Sequence, residues 1–310
     1  MRIVIGYDGS AGADAAVEDL KRAGLPEKTH ALVISVADVL LPPDPPGYHD
    51  SPLPAPIADS FKKSEQQARQ LIAEAQLLAE KCGQSLRTQF PKWNVETAAL
   101  ADSPPWGILK KSAEWKADLI IVGALGMSST ARLILGSVSQ RVVTDAPCSV
   151  RVVHHKPKTK SHLRIVIGVD GSEYSERAVD EVCRRKWPTG SEVHLVTVID
   201  SKLITSLAQP DSGLRRWVDD TDVDEHNWVS RLLDSFAKRL RAHGLKVTQR
   251  SVEGNPKSAI WEEAEQWGAD CIFVGARGLS GLKHFLIGSV SAAVAARAHC
   301  TVEVVRSAAS

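Results

Sequence analysis

Gly123, Gly126, Gly136 and Ser137 stand in the frame Gly-x2-Gly-x9-Gly-Ser, and Gly275, Gly278, Gly288 and Ser289 repeat it. A phosphate chain needs backbone N–H donors at close range, and a Cβ at the point of approach would hold it off. Gly123 and Gly126 remove that Cβ where the chain leaves an apolar run, and they can take positive φ for the turn. Gly136 does the same at the entry to a helix, where Ser137 and Ser139 add hydroxyls beside free N–H groups. A favourable charge at such a helix start is worth about 0.3–1 kcal/mol, and up to about 2 when partly buried. In a single copy, these glycines could equally make plain turns with Ser137 as an N-cap. The repeat, each copy paired with an aspartate, favours an anion site.

Those aspartates close a second repeated segment. Ile3-Val4-Ile5-Gly6-Tyr7-Asp8-Gly9-Ser10 returns as Ile165-Val166-Ile167-Gly168-Val169-Asp170-Gly171-Ser172. Asp8 and Asp170 cannot attract phosphate by charge. Their tasks are a ribose hydroxyl, a magnesium ion held against phosphates, or stabilisation of an Asp-Gly turn.

The elements that must position these groups alternate. Continuous apolar runs at 2–7 and 165–169 read as strands buried on both faces. Helices follow Ser10 and Ser172, and second strands follow at 30–37 and 193–199. Seven prolines make 41–56 a long surface loop. A helix over 57–82 with apolar Phe61, Ala68, Leu71, Ile72, Ala75 and Leu78 has its partner at 222–243. Third strands at 95–99 and 247–252 and helices ending near Trp115 and Trp267 come next. Fourth strands at 118–122 and 270–274 and fifth strands at 149–153 and 301–305 complete each half. Five strands alternating with helices call for an α/β fold with a doubly wound parallel sheet in each half. Two motifs at the ends of strands one and four become neighbours if the order is 3-2-1-4-5, because ligands enter such sheets where strand order reverses. We therefore expect domains over 1–154 and 163–310.

Bulk properties narrow the function. A net charge of +1, nearly balanced in each half, argues against nucleic acid. No apolar run approaches the roughly 20 residues of a membrane span, and the chain enters a strand with no signal pattern, so a cytoplasmic protein without membrane contact is expected. Cys82, Cys148, Cys183, Cys271 and Cys300 form no C-x-x-C pair and read as buried reduced thiols. His154 and His155 fall in a basic joint with Lys156, Lys158 and Lys160, taken as a solvated linker without a metal site.

A strand-terminal aspartate followed by Gly-x2-Gly-x9-Gly-Ser resembles the universal stress protein family, and two copies resemble its tandem members. The resemblance covers both halves almost end to end. It implies the 3-2-1-4-5 sheet and, in the branch carrying this glycine frame, ATP binding, with magnesium as an option. The implied nucleotide contacts are Asp8, Val36, Gly123, Gly126, Gly136, Ser137 and Ser139 in the first half. In the second they are Asp170, Val198, Gly275, Gly278, Gly288, Ser289 and Ser291, with Val36 and Val198 holding adenine through the backbone. Single-copy relatives pair two subunits through the fifth strand, so here 149–153 and 301–305 should pair within one chain as a pseudo-dimer, a further homodimer being open.

Arg277 replaces Leu125 between the first two glycines, and Lys283 and His284 face a lone Arg132 in the nine-residue segments. Tighter phosphate binding is therefore expected in the second half. No G-x-x-x-x-G-K-[ST], H-E-x-x-H or G-x-S-x-G motif is present, which favours a nucleotide-binding stress-response regulator without catalytic residues. The alternatives are a weak metal-assisted ATPase or phosphotransfer enzyme, and a nucleotide-free interaction scaffold.

Overall fold

Unbroken apolar runs become the central strands, because parallel strands covered by helices on both faces leave no side for polar residues. The computed structural model describes residues 1–39, 55–126, 135–155, 162–201, 203, 205, 227–279 and 287–306. The first half contains β1 (Arg2–Gly6), α1 (Ala11–Asp19), β2 (His30–Asp38), α2 (Ala55–Gln89), β3 (Asn94–Asp102), α3 (Pro104–Glu114), β4 (Leu119–Gly123), α4 (Ser137–Asp145) and β5 (Ser149–Val153). The second contains β6 (Arg164–Gly168), α5 (Glu173–Arg184), β7 (Glu192–Ile199), α6 (Asn227–Ala242), β8 (Lys246–Glu253), α7 (Pro256–Trp267), β9 (Cys271–Gly275), α8 (Ser289–Arg297) and β10 (Thr301–Val305). Strand order is β3-β2-β1-β4-β5-β10-β9-β6-β7-β8, so each half has the 3-2-1-4-5 order and the two sheets join into one. Every pairing within a half is parallel. The joining pair, β5 with β10, is antiparallel.

Helix α2 runs past the expected stop at residue 82 to Gln89. Gly83 lies inside it for a packing reason: a Cβ there would sit 2.5 Å from Thr97 Cγ2, so the glycine lets α2 lie against β3. Most of the proline loop at 41–56 lies outside the described residues; Ala55 and Pro56 open α2, where a missing N–H costs nothing. Residues 222–226 of the helix expected over 222–243 also lie outside them.

The faces of the sheet differ. Over one face, α3, α4, α7 and α8 cover a single core that crosses the seam, with Val150, Val152, Val302 and Val304 all in it. Over the other, separate cores gather under α1 and α2 and under α5 and α6. Trp115 and Trp267 pack in the shared core, each under an arginine from the start of its half, Arg2 at 4.6 Å and Arg164 at 4.2 Å. Cys82, Cys148, Cys271 and Cys300 are buried free thiols and Cys183 is half-buried. Burial pushes Cys82, Cys148 and Cys271 up to about 12, which makes them poor nucleophiles.

On the face with separate cores, the seam is ionic. Arg151 of β5 lies opposite Glu303 of β10 in register. Its Nη1 donates to Glu303 Oε2 at 3.0 Å, and its Nε donates to Asp19 Oδ2 at 2.6 Å. Arg185 at the end of α5 also donates to Glu303, Nη1 to Oε2 at 2.9 Å, and reaches the Ala23 carbonyl in the first half. Arg151 and Glu303 are 1% and 0% exposed, so the pair is fully desolvated. Burial works against the guanidinium charge, but Asp19, the Cys271 sulfur and Glu303 outweigh it and hold Arg151 well above the usual arginine value.

His154, taken in the sequence as part of an exposed linker, is not exposed. Its Nε2 faces the Ala295 carbonyl of α8 at 2.9 Å, and burial pulls it down to about 4. The packing of the two halves covers it, which its basic sequence neighbours do not reveal.

Two outcomes follow from the seam. Arg151→Ala leaves Asp19 and Glu303 buried without their shared cation and should cost about 3–5 kcal/mol in urea unfolding, whereas Arg69→Ala, which removes an exposed pair with Glu65, should cost less than about 1. The depressed His154 contributes stability that is fully present above about 6.5, its ordinary value, and is lost as pH falls towards about 4. Between pH 6.5 and 5, unfolding curves of His154→Gln should therefore be flatter with pH than those of the parent.

Candidate functional site

β1 stops at Gly6 while β2 continues to Asp38, which opens a gap at the carboxyl edge of the first half. The last rung beside it is Tyr7 N–H to the Ile34 carbonyl at 2.9 Å. Alternate residues of a strand present N–H and C=O to the same side, so Val36, two residues beyond Ile34, offers both groups to the gap. The chain then turns at Gly9, φ 76°, with Asp8 Oδ1 accepting the Ser10 N–H at 3.0 Å. Ser10 Oγ accepts the Ala13 N–H at 3.1 Å and starts α1. Asp8 is thus fixed by the Asp-Gly turn, with Oδ2 directed elsewhere.

That second oxygen faces the glycine frame. A Cβ on Gly126 would lie 2.9 Å from Asp8 Oδ2. A Cβ on Gly123 would lie 2.5 Å from the Gly12 carbonyl carbon, so this glycine admits the first turn of α1. Neither uses the positive φ open to glycine; close approach, not backbone conformation, requires them. Gly136 is the N-cap of α4 in extended conformation, φ −61° and ψ 155°, with its N–H on the Ala124 carbonyl at 2.8 Å. Ser137 is therefore the first helical residue and not the cap. The first bond of α4 is Gln140 N–H to the Gly136 carbonyl at 2.9 Å, which leaves the N–H groups of Ser137, Val138 and Ser139 ahead of the helical ladder. Ser139 Oγ donates to the Gly123 carbonyl at 2.6 Å, tying the helix to the end of β4, so its contact with an anion would come through its N–H.

The second half repeats the arrangement. Val169 N–H meets the Val196 carbonyl at 2.9 Å, which turns Val198 towards the gap as Val36 is turned. Gly171 has φ 78°, and Asp170 Oδ1 accepts from Ser172 N–H at 3.0 Å and Oγ at 2.6 Å. Asp170 Oδ2 accepts the Leu279 N–H at 3.2 Å, and a Cβ on Gly278 would lie 2.6 Å from it. Gly275 admits Tyr174 of α5 as Gly123 admits Gly12. Gly288 caps α8, Ala292 N–H makes the first helical bond at 3.0 Å, and Ser291 Oγ donates to the Gly275 carbonyl at 2.6 Å.

All seven first-half residues named from the sequence line one crevice of about 600 Å³. The eight of the second half, Arg277 included, line another of about 150 Å³. Arg277 is already engaged: its Nη1 is 3.2 Å from Tyr174 Oη and its guanidinium lies 5.6 Å from that ring. Lys283, His284 and Arg132 lie outside the described residues. Leu203, buried and held by its N–H on Asp200 Oδ1 at 2.8 Å, narrows the second crevice. In the first, Leu71, Glu74 and Leu78 of α2 form a wall instead. Leu71 and Leu78 are among the apolar positions of this helix named from the sequence, and the structure sets both beside the gap. Among the described residues, no group of three or more His, Cys, Asp or Glu could hold a metal ion.

The glycines separate by what surrounds them. Gly123→Ala forces a Cβ into the backbone of α1 and should cost about 1–3 kcal/mol. Gly136→Ala meets nothing nearer than the Ala124 carbonyl at 3.4 Å and should stay within about 1 kcal/mol. Thermal melting of the two variants checks the contrast.

The Universal stress protein family model matches residues 1–154 and 162–306. A universal stress protein of Mycolicibacterium smegmatis is 30% identical, with 98% of this chain and 96% of the relative covered. One of Mycobacterium tuberculosis is 28% identical over the same shares. Among solved structures, a universal stress protein of Archaeoglobus fulgidus superposes with a TM-score of 0.60 at 21% identity, covering 98% of both chains, a likeness of fold. No helix among the described residues is long and apolar enough to cross a membrane. With the family matched twice along its length, the chain belongs to the universal stress protein family as a tandem member.

Proposed function

We propose that the chain is an ATP-binding regulatory protein of the stress response, with one adenine nucleotide in the crevice of each half. The observation that carries this reading is the row of N–H groups on Ser137, Val138 and Ser139, repeated at Ser289, Val290 and Ser291. Each row faces a crevice whose glycines leave no side chain in the way. Adenine would meet the backbone of Val36 or Val198, a ribose hydroxyl would meet the Asp8 or Asp170 carboxylate, and phosphates would meet the N–H row. The spare oxygen of Asp8 is also the group to meet a magnesium ion carried by the phosphates.

Binding without turnover is the reading that the side chains support. The ionisable groups lining the first crevice are Tyr7, Asp8, Asp38 and Glu74, and those lining the second are Asp170, Asp200 and Arg277. Asp170 is committed to a turn, Arg277 to Tyr174, and Ser139 and Ser291 to strand carbonyls, so little is left to orient an attacking water. Five free cysteines support a place in the cytoplasm.

Chromatography of nucleotide released from the purified chain, followed by calorimetry with ATP and magnesium, tests the proposal. The parent should bind up to two equivalents, and Gly136→Val and Gly288→Val should each remove one while melting near the parent temperature. The roomier first crevice should make Gly136→Val the larger loss, the reverse of the ranking that the Arg277, Lys283 and His284 positions suggest. Unchanged binding in both variants would refute the crevice assignment.

A further inference from the structure

The two helices that present the N–H rows are each held, at the opposite end, by the other half of the chain. In α4 the last intrahelical-type bond is Ala146 N–H to the Val142 carbonyl at 3.0 Å, which leaves the carbonyls that follow without helical donors. Arg306, one residue past β10, supplies them: its Nη2 donates to Val143 O at 2.6 Å and to Thr144 O at 3.3 Å. Its own backbone N–H is fixed on Ser149 Oγ of β5 at 3.0 Å. In α8, Ala298 N–H takes the Val294 carbonyl at 3.0 Å, and the next carbonyl, Ala295, faces His154 Nε2 at 2.9 Å. A ring nitrogen facing a carbonyl must be the N–H donor. Arg306 and His154 are equivalent positions of the repeat, and so are Ala295 and Val143, each pair 152 residues apart. One device is therefore used twice, each time across the seam.

We infer that Arg306 is a positioning residue for the ligand of the first crevice and His154 for that of the second, so that each half sets the binding strength of the other. The inference rests on the nucleotide reading above. α4 is nine residues long, about 13 Å, so its N–H row and its last carbonyls are two ends of one short hydrogen-bonded rod. A cation at its C-terminus favours the same dipole that draws an anion to its N-terminus. Removing the donor leaves Val143 and Thr144 carbonyls short of a partner, frays the final turn, and lets the axis on which Ser137 to Ser139 N–H groups point drift. The two halves differ in strength. Arg306 brings a charge and serves two carbonyls; His154 serves one and is held neutral by burial. Ligand in one crevice, by steadying its helix, must in turn favour the contact made from the other half, because linkage is reciprocal.

The test is calorimetry with ATP and magnesium on the full chain in two backgrounds, Gly288→Val to isolate the first crevice and Gly136→Val to isolate the second. Arg306→Ala should weaken the first crevice by about 3- to 10-fold and leave the second unchanged; Arg306→Lys should recover part of the loss. His154→Leu should do the reverse, weakening only the second crevice, by about 2- to 5-fold, with His154→Gln recovering part because it keeps an N–H donor. This crossed pattern is one that general destabilisation would not produce. Equal losses in both crevices, or losses confined to the half that carries the substitution, would overturn the inference. If Arg306→Ala does not fold, Arg306→Gln carries the same comparison, and an unweakened first crevice there is equally decisive. A parent chain that binds no nucleotide overturns the functional reading and this one with it, while a parent that binds normally without the crossed pattern overturns this one alone.

Discussion

Three residue pairs between β5 and β10 join everything else: Val152 with Val302, Arg151 with Glu303, and Val150 with Val304. The valines point into a core shared by both halves, and the charged pair points to the face where the cores are separate. Arg151 and Glu303 occupy the same place in the repeat, 152 residues apart. Two identical copies meeting on this axis would put arginine against arginine or glutamate against glutamate, with the desolvation of both charges uncompensated. The ion pair therefore exists only because the halves differ. Asp19 on one side and Arg185 on the other complete it, and both come from the ends of first helices. The strand edge that unpaired sheets must otherwise protect is consumed within the chain, by a partner specified through charge as well as shape.

Antiparallel joining has a geometric consequence for the crevices. Strands within a half run parallel, so all carboxyl ends of one half point to one edge of the ten-stranded sheet, and those of the other half point to the opposite edge. The two crevices thus share no wall. What connects them is the layer of helices that crosses the seam, where α4 and α8 pack in the common core and each takes its terminal contact from the residue after the other half's fifth strand. A protein built this way keeps its two candidate sites apart in space while holding both to one rigid joint.

Much of this was legible in the sequence, because apolar runs buried on both faces leave few alternatives and because an internal repeat supplies its own control. Strand order, the joining of fifth strands and the gathering of Asp8, Val36, Gly126 and Gly136 on one crevice follow from periodicity and motif position together with the family resemblance. Three things were not legible. Gly83 and Gly123 serve close packing, and glycine's absence of a side chain does not say whether backbone, ligand or neighbour needs the space. His154 carries no local mark of burial, since the residues that cover it lie some 140 positions away in α8. The different sizes of the crevices depend on Leu203 and on α2, which walls the first crevice while no residue of its counterpart α6 lines the second, a divergence that the shared apolar period does not mark.

Repetition alone therefore proves less than it first suggests. Gly123 and Gly275 recur because α1 and α5 must approach the ends of β4 and β9, and Ser139 and Ser291 recur because their hydroxyls tie helix to strand. Asp8 and Asp170 recur, in part, because they hold the turns that start α1 and α5. A protein with no ligand would keep all of these. Gly136, Gly288, Ser137 and Ser289 are different. A Cβ on either glycine meets nothing nearer than a carbonyl at 3.3–3.4 Å, and both serines are exposed first residues of their helices. Packing favours a small residue at Gly136 and Gly288, whose Cβ would crowd a backbone carbonyl, but gives no reason for serine after each, whereas an anion drawn to an open helix start gives one for both. The case for a ligand narrows to four positions, and it is stronger for resting on those that folding constrains least, the exposed Ser137 and Ser289 above all.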